Sequence, residues 1–222
     1  MIHKSTHAVE ECGKYILARL ADKERSTLAI SGGSSPLPMF QMFANSDFDW
    51  HRIQLFWVDE RGVPPDHDQS NFKHANDVWL RPSRFPQPNI HRIQAELDPQ
   101  TAAARYRDEI RAVFGLAAGA IPEFDVIHMG IGPDAHTASL FPGEPMIQDR
   151  QGVATALWVE KMKQWRITLL PAVLLAARHT AMLVGADKSE PLSHILEGAS
   201  DPEKYPAQIL REARDVQWFV SE

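Results

Sequence analysis

The stretch Thr27 to Pro36, TLAISGGSSP, decides how this chain is read. Thr27 to Ser31 is an apolar run of strand length, and Gly32 and Gly33 break it. Ser35 followed by Pro36 has the order of a helix start: a capping hydroxyl, then a residue whose missing N–H costs nothing there. Strand, glycine turn and helix follow one another directly, which is the opening of a β-α unit. Two glycines let the backbone approach a ligand, and a helix start offers amide donors and a positive dipole end to an anion. An ordinary glycine turn has the same composition. The lysine and spacing of a nucleoside-triphosphate loop are absent.

The same alternation continues on both sides of this stretch. Upstream, Val9, Cys12, Ile16, Leu17 and Leu20 fall on one face of an opening helix. Downstream, Ile53 to Val58 (IQLFWV) predicts a strand ending in Asp59, Glu60, Arg61 and a loop rich in Pro, Asp and His. A helix over Asn71 to Leu80 follows, then a short strand within Asn89 to Ile93. Asp98-Pro99 opens a helix that turns Ala102, Tyr106, Ile110, Val113 and Phe114 inward. Further strands are expected at Phe124 to Met129, Val153 to Val159, Arg166 to Leu170, Thr180 to Gly185 and Val216 to Val220. Helices are expected from Pro171 and over Ser189 to Leu196. This order predicts an α/β fold, a largely parallel sheet with helices on both faces, as a single domain over residues 1–222. Ligands of such sheets bind beyond the carboxyl ends of the strands, where the polar clusters of this chain stand.

Composition narrows the function. A net charge of -6 provides no broad basic field for nucleic acid or anionic membrane, so a phosphorylated ligand needs positive charge supplied locally. The single cysteine, Cys12, excludes an internal disulfide framework and reads as a buried structural thiol. The N-terminal MIHKSTHAVEE lacks a signal-peptide core, and the longest apolar run, Ile167 to Ala177, is too short to span a bilayer. A cytoplasmic location is expected.

Two further clusters carry candidate chemistry. In Asp59 to Asn71 (DERGVPPDHDQSN), Arg61 suits a bidentate phosphate contact and Asp59 suits sugar hydroxyls or the orientation of a base, although each alone also fits a solvated loop charge. In Gly130 to Gly143 (GIGPDAHTASLFPG), His136 can activate water near neutral pH while Asp134 fixes its tautomer. Gly130, Gly132 and Ala135 also match a dinucleotide fingerprint. That match fails because Asp134 puts negative charge where a pyrophosphate would lie, Pro133 constrains the turn, and no acid stands about twenty residues on. His128, alternating with apolar neighbours, reads as a satisfied interior or strand-edge histidine. His3 and His7 lie near a terminus expected to be mobile, and His67, Asp68 and His74 have no metal-ligand spacing, so no metal site is predicted.

Ser31 to Pro36, DERGVP followed by DQSNF between Asp59 and Phe72, GIGPDAHTASLFPG, the RIT triplet at Arg166 and GADK ending at Lys188 occur in one order across nearly the whole chain. In these motifs the chain closely resembles the 6-phosphogluconolactonases of the pentose phosphate pathway, within the glucosamine-6-phosphate isomerase/deaminase-like superfamily. The resemblance implies a three-layer α/β/α, modified Rossmann-like fold of the glucosamine-6-phosphate isomerase/ribose-5-phosphate isomerase/CoA-transferase type. It implies hydrolysis of 6-phospho-D-glucono-1,5-lactone without cofactor, by a monomer or weak homodimer that binds a small phosphorylated lactone, not nucleic acid or membrane. On this resemblance Arg61, Lys188 and the loop Gly32, Gly33, Ser34 and Ser35 hold the phosphate, with Arg166 close to the same anion. Asp59 and Asn71 complete the substrate contacts, and His136 acts as base with Asp134 orienting it. The deaminase branch typically carries D-E-Y and H-I-A-F-N, where this chain has Arg61 and His136 to Pro142 (HTASLFP). Amino-sugar-phosphate deamination, with Asp59 moving a proton, and a non-catalytic sugar-phosphate sensor are the alternatives. One departure stands out: Ala135 replaces the family's usual glycine, and a positive φ there would cost about 1 kcal/mol or more.

Overall fold

Apolar runs without alternation belong to strands covered on both faces, and Ile53 to Val58 occupies such a place. The computed structural model describes residues 1–222. Its elements are β1 (Ile2–Ser5), α1 (Ala8–Ala21), β2 (Ser26–Ile30), α2 (Leu37–Ala44), β3 (Ile53–Trp57), β4 (Asp59–Arg61), α3 (Asn71–Ala75), β5 (Ile90–His91), α4 (Pro99–Phe114), β6 (Val126–Met129), β7 (Ala154–Val159), β8 (Gln164–Leu169), α5 (Pro171–Ala176), β9 (His179–Val184), α6 (Ser189–Leu196) and β10 (Val216–Ser221). A seven-stranded sheet runs in the order β1-β10-β9-β6-β2-β3-β5, and all of its pairs are parallel. Successive side chains of a strand point to opposite faces. Phe56 accordingly meets Tyr106 and Phe114 of α4 on one face, while Trp57 meets Phe72 of α3 on the other. Helices therefore cover both faces, around one contiguous core of 53 buried apolar residues.

Four local expectations are corrected. First, the N-terminus is a strand, not a mobile tail: β1 pairs with β10, and His3 bonds Gln217 (2.9 Å) and stacks on Phe219. This pairing is made by backbone groups more than 200 residues apart, so local composition carries no trace of it. Second, Ser35 does not cap α2, which begins after Pro36 without a side-chain cap. Third, the predicted helix over 71–80 changes pitch. After α3 it forms a π turn, Asn76–Leu80, with Arg81 N–H bonding Asn76 O at 3.0 Å. The wider turn seats Trp79 among Phe40, Phe43, Trp50 and Phe85.

Fourth, the charged triplet after β3 is a strand of a second sheet. β4, β8 and β7 form an antiparallel sheet in the order β4-β8-β7. Val58 joins the two sheets: its N–H bonds Ile30 O (2.9 Å) in the parallel sheet, and its carbonyl accepts from Leu169 N (2.8 Å) beside the antiparallel one. Within β4 the alternation of faces separates Asp59 and Arg61 from Glu60.

Glu60 is buried and accepts from the backbone amides of Arg61 (2.8 Å), Asn71 (2.7 Å) and Phe72 (2.8 Å) and from the Ser70 hydroxyl (3.1 Å). Burial raises its pKa, and the three amides oppose that shift. Removing the carboxylate strands these donors in the interior. Glu60→Ala is expected to lose roughly 3 kcal/mol of unfolding free energy in urea titrations, whereas an exposed acid such as Glu190→Ala is expected to change it by less than about 0.5 kcal/mol.

Candidate active site

A cavity of about 300 Å³ opens beyond the carboxyl ends of β2, β6 and β9. It is walled by the glycine loop (Ser31, Gly32, Ser34, Ser35), by Asp59, Arg61 and Asn71, by Gly130 to Gly132 with His136, and by Gly185, Asp187 and Lys188. The separate motifs of the sequence thus converge on one hollow. Gly33, Asp134 and Arg166 do not line it.

Gly32 is needed for close approach: a side chain there would stand 2.1 Å from the Asn71 side-chain oxygen Oδ1. Gly33 turns the loop with φ +99°. The Asn71 amide donates to the Asp59 carbonyl (2.9 Å) and carboxylate (3.3 Å), and the Ser139 hydroxyl donates to the other Asp59 oxygen (2.6 Å). Asp59 is therefore a buried tie between β4, the start of α3 and the third loop. Arg61 donates to Gln69 O (2.7 Å), Lys188 pairs with Asp187, and both cations line the hollow, with Asp187 beside them.

Arg166 stands opposite Arg61 in the antiparallel register. It is buried, and its Nη2 meets Met162 Sδ at 3.0 Å. Burial lowers its pKa, Asp59 opposes that shift, and the Arg61 cation adds to it. Arg166 does not line the hollow, but the register sets it beside Arg61 on the same face of the antiparallel sheet.

The third loop presents His136. Its Nδ1 lies 2.5 Å from Asp134 Oδ1, and its backbone N–H reaches the same oxygen at 3.3 Å. A carboxylate only accepts, so Nδ1 carries the proton and Nε2 keeps the lone pair. The ring is tilted against Phe141 with centroids 4.4 Å apart. On its other side a Gly132 side chain would stand 2.0 Å from the ring atoms, so this position admits only glycine. Burial pushes Asp134 up, but the bonds from His136 and Lys161 outweigh it and hold the carboxyl well below the usual carboxylate range.

Ala135 has φ +60° and is buried, so the departure from glycine does carry left-handed strain, a cost of about 1 kcal/mol. Backbone bonds hold it on both sides, from Ala135 N to Gly132 O (3.1 Å) and from Ala207 N to Ala135 O (2.9 Å). His136 is positioned despite the strain.

Sequence reasoning gave no role to Ser139 or Phe141, although both stand inside the third motif, and it passed over Lys161 entirely. Lys161 lies 27 residues from its partner Asp134, on the β7–β8 turn, and no local pattern links them. His128 also differs from expectation: it is buried at the cavity floor, but neither ring nitrogen has a hydrogen-bond partner.

Comparison with known proteins follows the same lines. Residues 3–218 match the family model described as glucosamine-6-phosphate isomerases/6-phosphogluconolactonase. This chain belongs to that family. A 6-phosphogluconolactonase of Synechocystis is 35% identical over 209 residues, covering 93% of this chain and 86% of the relative. The crystal structure of the devB protein superposes with TM-score 0.89 at 31% identity, covering 100% of this chain and 97% of the other. That of a Thermotoga maritima 6-phosphogluconolactonase gives 0.87 at 29%, covering 100% and 99%. The three-layer α/β/α arrangement around a mostly parallel sheet is the fold of this family.

Burial lowers the His128 pKa from 6.5 to about 4. The folded chain holds this ring neutral while the unfolded chain protonates it, so its stabilising share is complete above about pH 6.5 and is lost as pH falls towards 4. Urea titrations at pH 7.5 and 4.5 are expected to differ by about 2 kcal/mol more in the parent than in His128→Leu.

Proposed function

We propose that this chain hydrolyses 6-phospho-D-glucono-1,5-lactone to 6-phospho-D-gluconate in the oxidative branch of the pentose phosphate pathway, with His136 as general base. The observation that carries this reading is one cavity that holds both an imidazole oriented by a carboxylate and two cations beside a glycine loop. Relatives at about one-third identity over most of the chain are named as 6-phosphogluconolactonases, and the motifs around Arg61 and His136 are of that branch.

The phosphate binds Arg61, Lys188 and the amides of Gly32 to Ser35, by charge-assisted hydrogen bonds. This places the lactone ring towards His136. Nε2 takes a proton from water as the water oxygen adds to the C1 carbonyl, and the imidazolium returns that proton to the ring oxygen as the C1–O bond breaks. Asp134 keeps Nδ1 protonated throughout. Asp59, tied by Asn71 and Ser139, offers a fixed acceptor edge to sugar hydroxyls. Those ties disfavour the deaminase alternative, in which Asp59 itself must move a proton. Water is the nucleophile and a δ-lactone is reactive, so this chemistry requires neither metal nor cofactor. The reading extends to a cytoplasmic monomer or weak homodimer with a small-molecule substrate as its partner.

The test is a coupled assay on freshly generated lactone, corrected for spontaneous opening. His136→Gln is expected to lower kcat by about a thousandfold with KM little changed, and near-parental turnover would remove His136 from its role. Ammonia release from glucosamine 6-phosphate would favour the deaminase, and ligand binding without hydrolysis the sensor. Arg61→Met or Lys188→Met is expected to raise KM for the phosphorylated lactone by about tenfold to a hundredfold. Hydrolysis of unphosphorylated gluconolactone should be spared, and equal losses on both substrates would contradict the phosphate assignment.

A further inference from the structure

Lys161 lies outside every motif. It stands in the single 3-10 turn Glu160–Met162 between β7 and β8, half exposed. Its ammonium nevertheless meets Asp134 Oδ2, on the side of the carboxylate that His136 does not use, and lies 4.7 Å from the Phe141 ring centroid. Phe141 thus touches both Lys161 and the His136 ring. The nearest competing acid is occupied: Glu160 takes the Trp158 indole N–H (2.7 Å) on one oxygen and Lys163 on the other. Lys163, at φ +49°, closes the turn that aims Lys161 inward.

We propose that Lys161 is a positioning residue for the His136–Asp134 pair, holding the far carboxylate oxygen so that the imidazole is oriented yet stays in its proton-accepting form. The role rests on His136 being the base of the lactonase. A carboxylate beside an imidazole has two effects: it fixes the ring, and it favours the imidazolium, which is useless as a base. A cation on the far oxygen cancels part of the second effect and leaves the first intact. The other charged groups that face His136 across the cavity are Asp59 and Asp187 against Arg61 and Lys188, with His128 neutral at the floor. None of these changes when Lys161 is replaced. The β7–β8 hairpin thereby takes part in the chemistry without touching substrate.

Lys161→Met keeps the aliphatic stem and removes the charge, and Lys161→Arg keeps the charge. The first readout is the NMR titration of the His136 ring, assigned by its loss in His136→Gln. The second is steady-state kinetics against pH. In Lys161→Met the midpoint is expected to rise, screening by solvent keeping the shift modest. Its kcat near neutral pH should fall by about twofold to threefold with KM within about twofold, the deficit shrinking at alkaline pH. Lys161→Arg should keep the parental midpoint and kcat. An active parent whose His136 midpoint is unmoved in Lys161→Met, or an Arg variant as displaced as the Met variant, overturns the proposal and leaves Lys161 a surface ion pair. A parent that fails to open the lactone overturns the base assignment and the catalytic part of this role together, and the titration, which needs no turnover, tells the two failures apart.

Discussion

Val58, between β3 and β4, bonds to both sheets at once, and the site depends on it. Its N–H completes the parallel pairing with Ile30, while its carbonyl serves Leu169. A backbone amide has one donor and one acceptor, and both must be met in the interior. Meeting them in different sheets forces the chain to leave the parallel sheet and turn across the end of β2. Asp59 and Arg61 are delivered over the glycine loop by that turn, and Glu60, on the opposite face of β4, gathers the amides of residues 61, 71 and 72. Asn71 is then fixed against Gly32 and Asp59, so the Arg61 side of the cavity follows from a hydrogen-bond requirement at one residue.

The opposite side is built from strain and close approach. Ala135 sits in a left-handed conformation that alanine disfavours by about 1 kcal/mol, a sum that the flanking backbone bonds to Gly132 and Ala207 readily offset. Gly132 leaves room for the imidazole, Phe141 closes its other flank, and Asp134 sets its tautomer. The carboxylate is in turn shared with Lys161 of the antiparallel sheet. The two sheets therefore contribute to both halves of the site, Arg61 and Asp59 on one side and the Lys161 contact to the Asp134–His136 pair on the other.

Much of this was legible in the chain itself. Hydrophobic period and Gly/Pro punctuation located the central strands and the helices, because those signals are local and a strand covered on both faces is mostly apolar. The polar stretches after β2, β3, β6 and β9, with Arg61, Asp134, His136 and Lys188, were legible for a related reason: chemistry-bearing residues stand next to such strands in short motifs. The edge strand β1, the strand β4 and the π turn after α3 were not. Each is specified by partners far away in sequence, whether a backbone edge, a second sheet or an aromatic cluster that rewards a wider pitch.

The same division holds within the site. Residue types and local spacing determined that a histidine with a neighbouring acid, a glycine loop and scattered cations were available. Only the tertiary structure decided that Arg61 lines the hollow while Arg166 does not, that Asp59 ties β4 to α3 and the third loop, that Ala135 carries strain, and that Lys161 reaches Asp134. Neighbours along the chain constrain one another through sterics and backbone bonding within a few residues. Charge sharing, close approach and burial act between atoms that folding alone brings together.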